Sequence, residues 1–195
     1  MATQEIVRRY EQLMRDIEWL GEGMAWTVLM PEKESLPISE IISRLSLPEG
    51  SLLPDLEVGL SEIAYINTRY ACTALFEPEG FSHVGYGPNL ERLATDNHVW
   101  HVSWNITGRS MLKVAKNGQV QVEILDLDPA MAHGIGLDIV GDYLPLLRSA
   151  SRRKWPALRA TAMAIVETVT GTRLDQEWIG QPQSGLAITR PPLGS

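Results

Sequence analysis

The sequence has almost none of the features that build disulfides, membrane spans or leader segments. Among 195 residues there is one cysteine, Cys72, so no disulfide forms within the chain. No apolar run approaches the ~20 residues that a membrane-spanning helix needs. The first residues, MATQEIVRRYEQ, lack the apolar core of a signal peptide. We therefore expect a cytoplasmic protein in a reducing environment, with no membrane partner.

Positive charge is also scarce. The chain has 17 lysines and arginines against 24 acidic residues, which gives a net charge of −7. Broad nucleic-acid binding needs a basic footprint, so this balance argues against nucleic acid as a partner. It favours solubility, and a basic protein would be a complementary partner.

Motifs of the common enzyme classes are missing. The sequence contains no P-loop, G-x-S-x-G, H-E-x-x-H or C-x-x-C motif. The HGIG run at 133–136 begins like a dinucleotide-binding loop, but the third glycine of that fingerprint would fall on Ile139. Cys72 shares a predicted strand face with Ala74 and Phe76, which indicates a small buried hydrophobe and not a nucleophile. We predict no catalytic residue and no cofactor, and whether the protein is an enzyme stays open.

The clearest pattern is an antiparallel meander over residues 97–129, NHVWHVSWNITGRSMLKVAKNGQVQVEILDLDP. Three segments alternate apolar and polar side chains with the period of two that a half-buried strand shows. Thr107-Gly108 and Asn117-Gly118 supply the turns. Asn-Gly is the stronger signal, because a type I′ turn needs positive φ at both central residues.

Helical patterns flank this meander. One apolar stripe lies near the N-terminus and a second follows Pro156; they consist of Ile6, Tyr10, Leu13, Ile17 and Leu20, and of Leu158, Ala162, Ile165, Val166 and Val169. Strands in the middle with helices at both ends predict an α+β fold, a curved antiparallel sheet with the N-terminal and C-terminal helices packed on one face. The prolines and glycine of Ser46–Asp55 predict a loop. We expect one domain over 1–180 and a Pro/Gly-rich, partly disordered tail over 181–195.

The six tryptophans are the unusual feature of the composition. Trp100 and Trp104 lie on the same face of one predicted strand, and His101 lies on the other face. Because tryptophan is enriched at binding hot spots, an open face here would be a recognition surface. Trp100, Trp104 and His101 are therefore candidate binding residues; packing in the core is the commoner fate of such side chains.

The sequence contains one basic cluster, formed by Arg148, Arg152, Arg153, Lys154 and Arg159. Trp155 lies inside it. Guanidinium groups next to an aromatic ring are suited to phosphate or nucleotide contact, so Arg152, Arg153 and Trp155 are candidate binding residues. The alternative is an ordinary solvated turn between two helices.

Three aspartates offer a candidate metal site. Asp126 and Asp128 close the third strand of the meander, and Asp138 lies near the start of the next helical segment. Carboxylates in such numbers suit Mg²⁺ or Ca²⁺. However, Asp128 precedes a proline, which is usual in turns, and an acidic residue at the position of Asp138 suits a helix N-terminus.

Several short motifs resemble an uncharacterised family of bacterial, largely actinobacterial, proteins that carry a domain of unknown function. The motifs are FEPEGF at 76–81, the strand end Trp104-Asn105, the hairpin Asn117-Gly118 and VTGTRL at 169–174. The resemblance covers Trp19–Leu174. It implies no activity and assigns no catalytic residue.

These observations predict a non-enzymatic protein–protein interaction domain. An immunity or antitoxin-like role, or an accessory role in a bacterial defence or secretion locus, would suit its acidity and its lack of catalytic motifs. One alternative is a metal-dependent or small-ligand enzyme that uses Asp126, Asp128 and Asp138. A second is a nucleotide or nucleic-acid sensor that uses the Arg148–Arg159 cluster.

Overall fold

The sheet extends well beyond the predicted meander. The computed structural model describes residues 2–80, 82–153 and 155–188. Its strands are β1 (Met24–Pro31), β2 (Leu52–Leu56), β3 (Ile63–Asn67), β4 (Thr73–Glu77), β5 (Asn97–Trp104), β6 (Ser110–Lys116), β7 (Gln119–Leu125), β8 (Ala132–His133) and β9 (Gln183–Ala187). All nine join one antiparallel sheet in the order β2-β9-β3-β4-β1-β5-β6-β7-β8.

Helices cover both faces of this sheet. They are α1 (Ala2–Asp16), α2 (Glu18–Glu22), α3 (Ile38–Arg44), α4 (Gly87–Leu93), α5 (Leu137–Val140), α6 (Leu144–Ser151), α7 (Trp155–Thr170) and α8 (Gln176–Ile179), with a 3-10 helix at Pro129–Met131. The terminal helices α1 and α7 pack together on one face, which confirms the predicted α+β fold. The short helices α3 and α4 pack on the other face. In the described ranges, no helix combines the length and hydrophobicity that a membrane span requires.

The meander has the predicted pairing. Trp100 lies opposite Val114, and Val114 lies opposite Val122, so the apolar faces of β5, β6 and β7 coincide. Asn117 and Gly118 have φ values of 54° and 72°, as a type I′ turn requires. The turn sets the pairing only as far as Ala115 opposite Val120. A bulge then shifts the register, so Val120 and Val122 pack on opposite faces of the sheet.

The tryptophan face of β5 lies in the core. Trp100 and Trp104 are 2% and 1% exposed, and Trp26 of the neighbouring strand β1 is equally buried. Helices α1 and α7 cover these rings. The indole of Trp104 donates a 3.0 Å hydrogen bond to the carbonyl of Leu20. The prediction that Trp100 and Trp104 form an open recognition surface is therefore wrong, because the docked helices remove that face from solvent.

Two segments that the sequence assigned to the tail and to a loop contain strands. Residues 183–187 form β9, which lies between β2 and β3 with Leu186 fully buried. The expected tail therefore does not begin at residue 181; its last residues, 189–195, lie outside the described ranges. The expected loop at Ser46–Asp55 contains most of β2, an edge strand with a proline and a shifted register after Leu53.

The predicted N-terminal helix is divided at Ile17. The backbone of this residue has φ −125° and ψ 86°, outside the helical region. The break lets α2 turn its Leu20 into the core beside the tryptophan face. The apolar stripe of the sequence is thus buried, although two helices and not one present it.

Gly80 marks a close approach between the end of β4 and the end of β5. A Cβ atom at this position would lie 1.7 Å from the carbonyl oxygen of Trp104. No side chain fits there without a shift of the backbone. The glycine of the FEPEGF motif and the Trp104-Asn105 strand end are therefore two sides of a single contact.

We expect Gly80→Ala to destabilise the fold by about 2–3 kcal/mol, because the added methyl group must push two backbone segments apart. Urea unfolding measures the effect. Gly87→Ala is the matched control, since a Cβ atom there meets nothing within 4 Å. Equal midpoints for the two variants would contradict the close approach.

Candidate functional site

A groove of about 1090 Å³ lies where three connections of the fold meet. These are the β5–β6 turn, the segment that follows β7, and the turn between α6 and α7. Its lining includes Arg109, Asp126, Asp128, Met131, Arg153 and Trp155. We call it the Trp155 groove, after its largest exposed side chain.

Trp155 is held in place by the half-buried guanidinium group of Arg159. It is the first residue of α7 and is 50% exposed. The Cζ atom of Arg159, one turn further on, lies 5.5 Å from the Trp155 ring centroid and 5.4 Å from the Trp104 ring centroid. Arg159 also donates a hydrogen bond to the carbonyl of Gly21. Each indole ring stabilises the cation through a cation–π interaction. Trp155 is therefore fixed in orientation while half of its surface stays open to solvent.

The groove contains charges of both signs. Arg153 is 3.3 Å from the carboxylate of Glu11, although its side chain is 60% exposed. The Asp128 carboxylate accepts a 2.9 Å hydrogen bond from the backbone N–H of Ala130 and caps the 3-10 helix. The Arg109 guanidinium forms no ion pair or hydrogen bond with any residue that the structure describes. Arg109 is thus available to a ligand.

The structure brings together residues that the sequence assigned to two different hypotheses. Arg153 and Trp155, from the sensor hypothesis, share the groove with Asp126 and Asp128. Arg152 precedes Arg153 in the chain and is exposed, but it does not line the groove; Lys154 lies outside the described ranges. Arg109 is the member of the groove that sequence reasoning missed, because nothing in its local pattern separates it from an ordinary turn residue.

The predicted three-aspartate cluster does not form. Asp138 lies on α5 and does not line the groove that contains Asp126 and Asp128. Among the described residues, no group of three or more acidic, histidine or cysteine side chains converges into a metal site. The cap that Asp128 makes is the turn role that the sequence offered as its alternative.

His101 is inaccessible to a partner. It is 1% exposed, and its Nδ1 and Nε2 atoms lie 2.8 Å and 3.1 Å from the hydroxyl groups of Thr27 and Ser103. Burial lowers the pKa of His101 to about 3, so the ring is neutral. A serine and a histidine at this distance resemble a nucleophile and its base, but a base with this pKa is too weak to activate a hydroxyl group at neutral pH. The ring is a packing element of the polar interior.

Glu77 is a buried carboxyl group that sequence reasoning also missed. Its Oε1 accepts a 2.6 Å hydrogen bond from the N–H of His83, and its Oε2 accepts one from the hydroxyl of Ser82. Burial raises the pKa of Glu77 to about 7. The segment that it anchors covers His101, since a Cβ atom on Gly85 would lie 2.2 Å from the His101 ring. The glutamate of FEPEGF therefore positions a loop.

Cys72 is buried, as predicted. Its Sγ lies 3.4 Å from the carbonyl oxygen of Thr170, and burial raises the pKa of the thiol. A thiol that is kept protonated is a poor nucleophile and a poor metal ligand. Cys72 therefore takes no part in the candidate site.

The chain matches no protein-family model, no curated protein and no solved structure. The resemblance to the actinobacterial family stays a prediction. Its motifs have local structural roles here: Glu77 anchors a loop, Gly80 permits a close approach, and Gly171 ends α7 with φ 68°. These roles are structural and assign no chemistry.

We expect wild type to lose stability relative to Glu77→Gln as the pH rises from 4.5 to about 7. The folded-state pKa of Glu77 lies above its ordinary value. The contribution of the protonated carboxyl group to the free energy of unfolding is therefore complete below pH 4.5 and disappears as the pH passes through 7. The loss is about 3 kcal/mol, because each pH unit between the two pKa values corresponds to about 1.4 kcal/mol. Urea unfolding across this range measures it.

His101 also makes stability depend on pH, in the direction opposite to Glu77, and comparing the two proteins cancels this effect. The pKa of His101 is lowered, so its contribution is present above pH 6.5 and disappears as the pH falls towards 3. It is the same in wild type and in Glu77→Gln. Parallel stability profiles for the two proteins would contradict a buried carboxyl group at Glu77.

Proposed function

We propose that this protein is a binding module that holds a protein partner in the Trp155 groove. The observation that carries the proposal is a half-exposed tryptophan, fixed against Arg159, in one groove with Arg109, whose guanidinium has no partner among the described residues. Tryptophan and arginine dominate binding hot spots, and a fixed ring loses little conformational entropy when a partner packs on it.

Exposed apolar side chains around the groove support a macromolecular partner. Met131 in the lining is 43% exposed, and Ile106 at the tip of the β5–β6 turn is 78% exposed. Ile106 also borders a second groove of about 390 Å³ on the other side of that turn. The candidate surface is therefore wider than one small ligand would cover, and its tryptophan, methionine and arginine are residue types enriched at interfaces.

An immunity or antitoxin-like role, or an accessory role in a bacterial defence or secretion locus, is the setting that we propose for such a module. Its acidity and its lack of catalytic motifs support this setting. We also propose a cytoplasmic location, on the ground of its single cysteine.

A nucleotide-like ligand is the second candidate. Trp155 offers a stacking surface next to Arg109 and Arg153, and all three line one groove. Asp126 and Asp128 in the same lining count against it, because their charge repels phosphate. The metal-dependent enzyme is supported only by those two carboxylates.

Trp155→Ala is expected to weaken binding of the partner at least about thirtyfold, since a central tryptophan contributes about 2 kcal/mol or more. Tyr86→Ala is the matched control, because Tyr86 is 58% exposed at the start of α4 on the other face of the sheet. A photo-cross-linking residue at position 155, and separately at 86, identifies the partner in producing cells.

Two results together support the proposal. A partner is cross-linked from position 155 and not from position 86, and the purified Trp155→Ala protein binds that partner weakly. Equal cross-linking from both positions, or unchanged affinity of Trp155→Ala, would overturn it. Urea unfolding of each variant separates loss of binding from loss of fold. Binding of a nucleotide that Trp155→Ala abolishes, with no cross-linked protein, would favour the second candidate.

A further inference from the structure

The positive charge of this acidic chain is concentrated at one place. Residues 143–166 contain five lysines and arginines and no acidic residue. Because the whole chain carries −7, the rest of it carries a net −12. The structure places the turn of this basic segment, between α6 and α7, on one wall of the Trp155 groove.

Among the arginines of the groove and of the basic segment 143–166, Arg153 alone has a carboxylate partner in the described part of the chain, although the chain has an excess of carboxylates. The exposed side chains of Arg148 and Arg152 form no ion pair with any residue in the described ranges. Arg109 joins them from the β5–β6 turn, likewise without a described partner. Arg153 has one partner, Glu11. Free guanidinium groups around an exposed tryptophan indicate a ligand that brings carboxylates or phosphates.

The remaining charges distinguish between these two anions. A polyphosphate backbone presents a charge at every step, so Asp126 and Asp128 in the groove and the net −12 elsewhere would repel it. A polypeptide can place its carboxylates only where guanidinium groups meet them. The same polypeptide can place a neutral or basic residue opposite Asp126.

We propose that the occupant of the Trp155 groove is an acidic polypeptide segment that sets an apolar side chain against Trp155 and carboxylates against Arg109 and Arg152. This rests on the proposed function, and it names the chemistry of the partner. It also replaces the sequence-based expectation of a basic partner, because residues 143–166, which contribute Ser151, Arg153 and Trp155 to the groove, are opposite in charge to the chain as a whole.

The test uses three probes of the intact protein: a single-stranded oligouridylate and two labelled copolymers in which Ser separates sparse charged residues and Tyr. We call these the Glu-Tyr and the Lys-Tyr copolymer, after their charged residue. Fluorescence anisotropy should show wild type binding the Glu-Tyr copolymer in preference to the other two, more weakly at higher salt. The double variant Arg109→Glu with Arg152→Glu should lose at least about tenfold in affinity for it and gain affinity for the Lys-Tyr copolymer.

The charge-matched control is Arg15→Glu with Arg69→Glu, two exposed arginines that do not line the groove. It should bind the Glu-Tyr copolymer like wild type. The inference is overturned if the control loses as much affinity as the groove variant, if wild type does not bind the Glu-Tyr copolymer, or if it prefers the Lys-Tyr copolymer or oligouridylate.

Cross-linking from position 155 separates this inference from the proposed function. A partner that is still cross-linked in the Arg109→Glu, Arg152→Glu background with undiminished yield shows that the groove binds a protein without using acidic residues. The inference then fails and the proposed function stands. If no protein is cross-linked from position 155 of the otherwise wild-type protein, both the inference and the proposed function are overturned.

Discussion

The burial of Arg159 between two indole rings links the core of this protein to its surface. Trp104 on one side belongs to the sheet, and Trp155 on the other belongs to the groove. Burial lowers the pKa of Arg159, and its Nε atom has no hydrogen-bond partner among the described residues. The two cation–π contacts and the bond to Gly21 offset that cost. The orientation of Trp155 therefore depends on how α7 docks on the sheet.

The opposite face of the sheet tolerates polar groups because they are neutral there. Burial raises the pKa of Glu77 and lowers that of His101, so in each case the uncharged form is favoured. Hydroxyl and backbone groups around Glu77 and His101 form hydrogen bonds with these side chains, and purely apolar neighbours could not do so. Their environment fits these residues for packing and for holding the 82–85 segment over the sheet.

Sequence patterns predicted the structure wherever the deciding interactions are local. Asn117-Gly118 specifies its own turn and the two residue pairs next to it, before a bulge shifts the register of β6 against β7. The strand β9 could not be predicted in this way, because Gly185 is needed only to approach Ile63 of a strand far away in the chain. The burial of Trp104 was undecidable for the same reason, since it depends on the docking of α1 and α7.

The candidate site was partly visible in the sequence as separate fragments. Arg153 and Trp155 stood out as a basic, aromatic turn, and Asp126 as a carboxylate at a strand end. Only the fold brings them into one groove, together with Arg109. Loops and turns often contain binding sites, because their side chains do not have to pack in the core. Arg159 is the exception, since replacing it would disturb the core and the groove together. Variants at Arg109 alter the groove alone, so in this protein binding and folding can be changed independently.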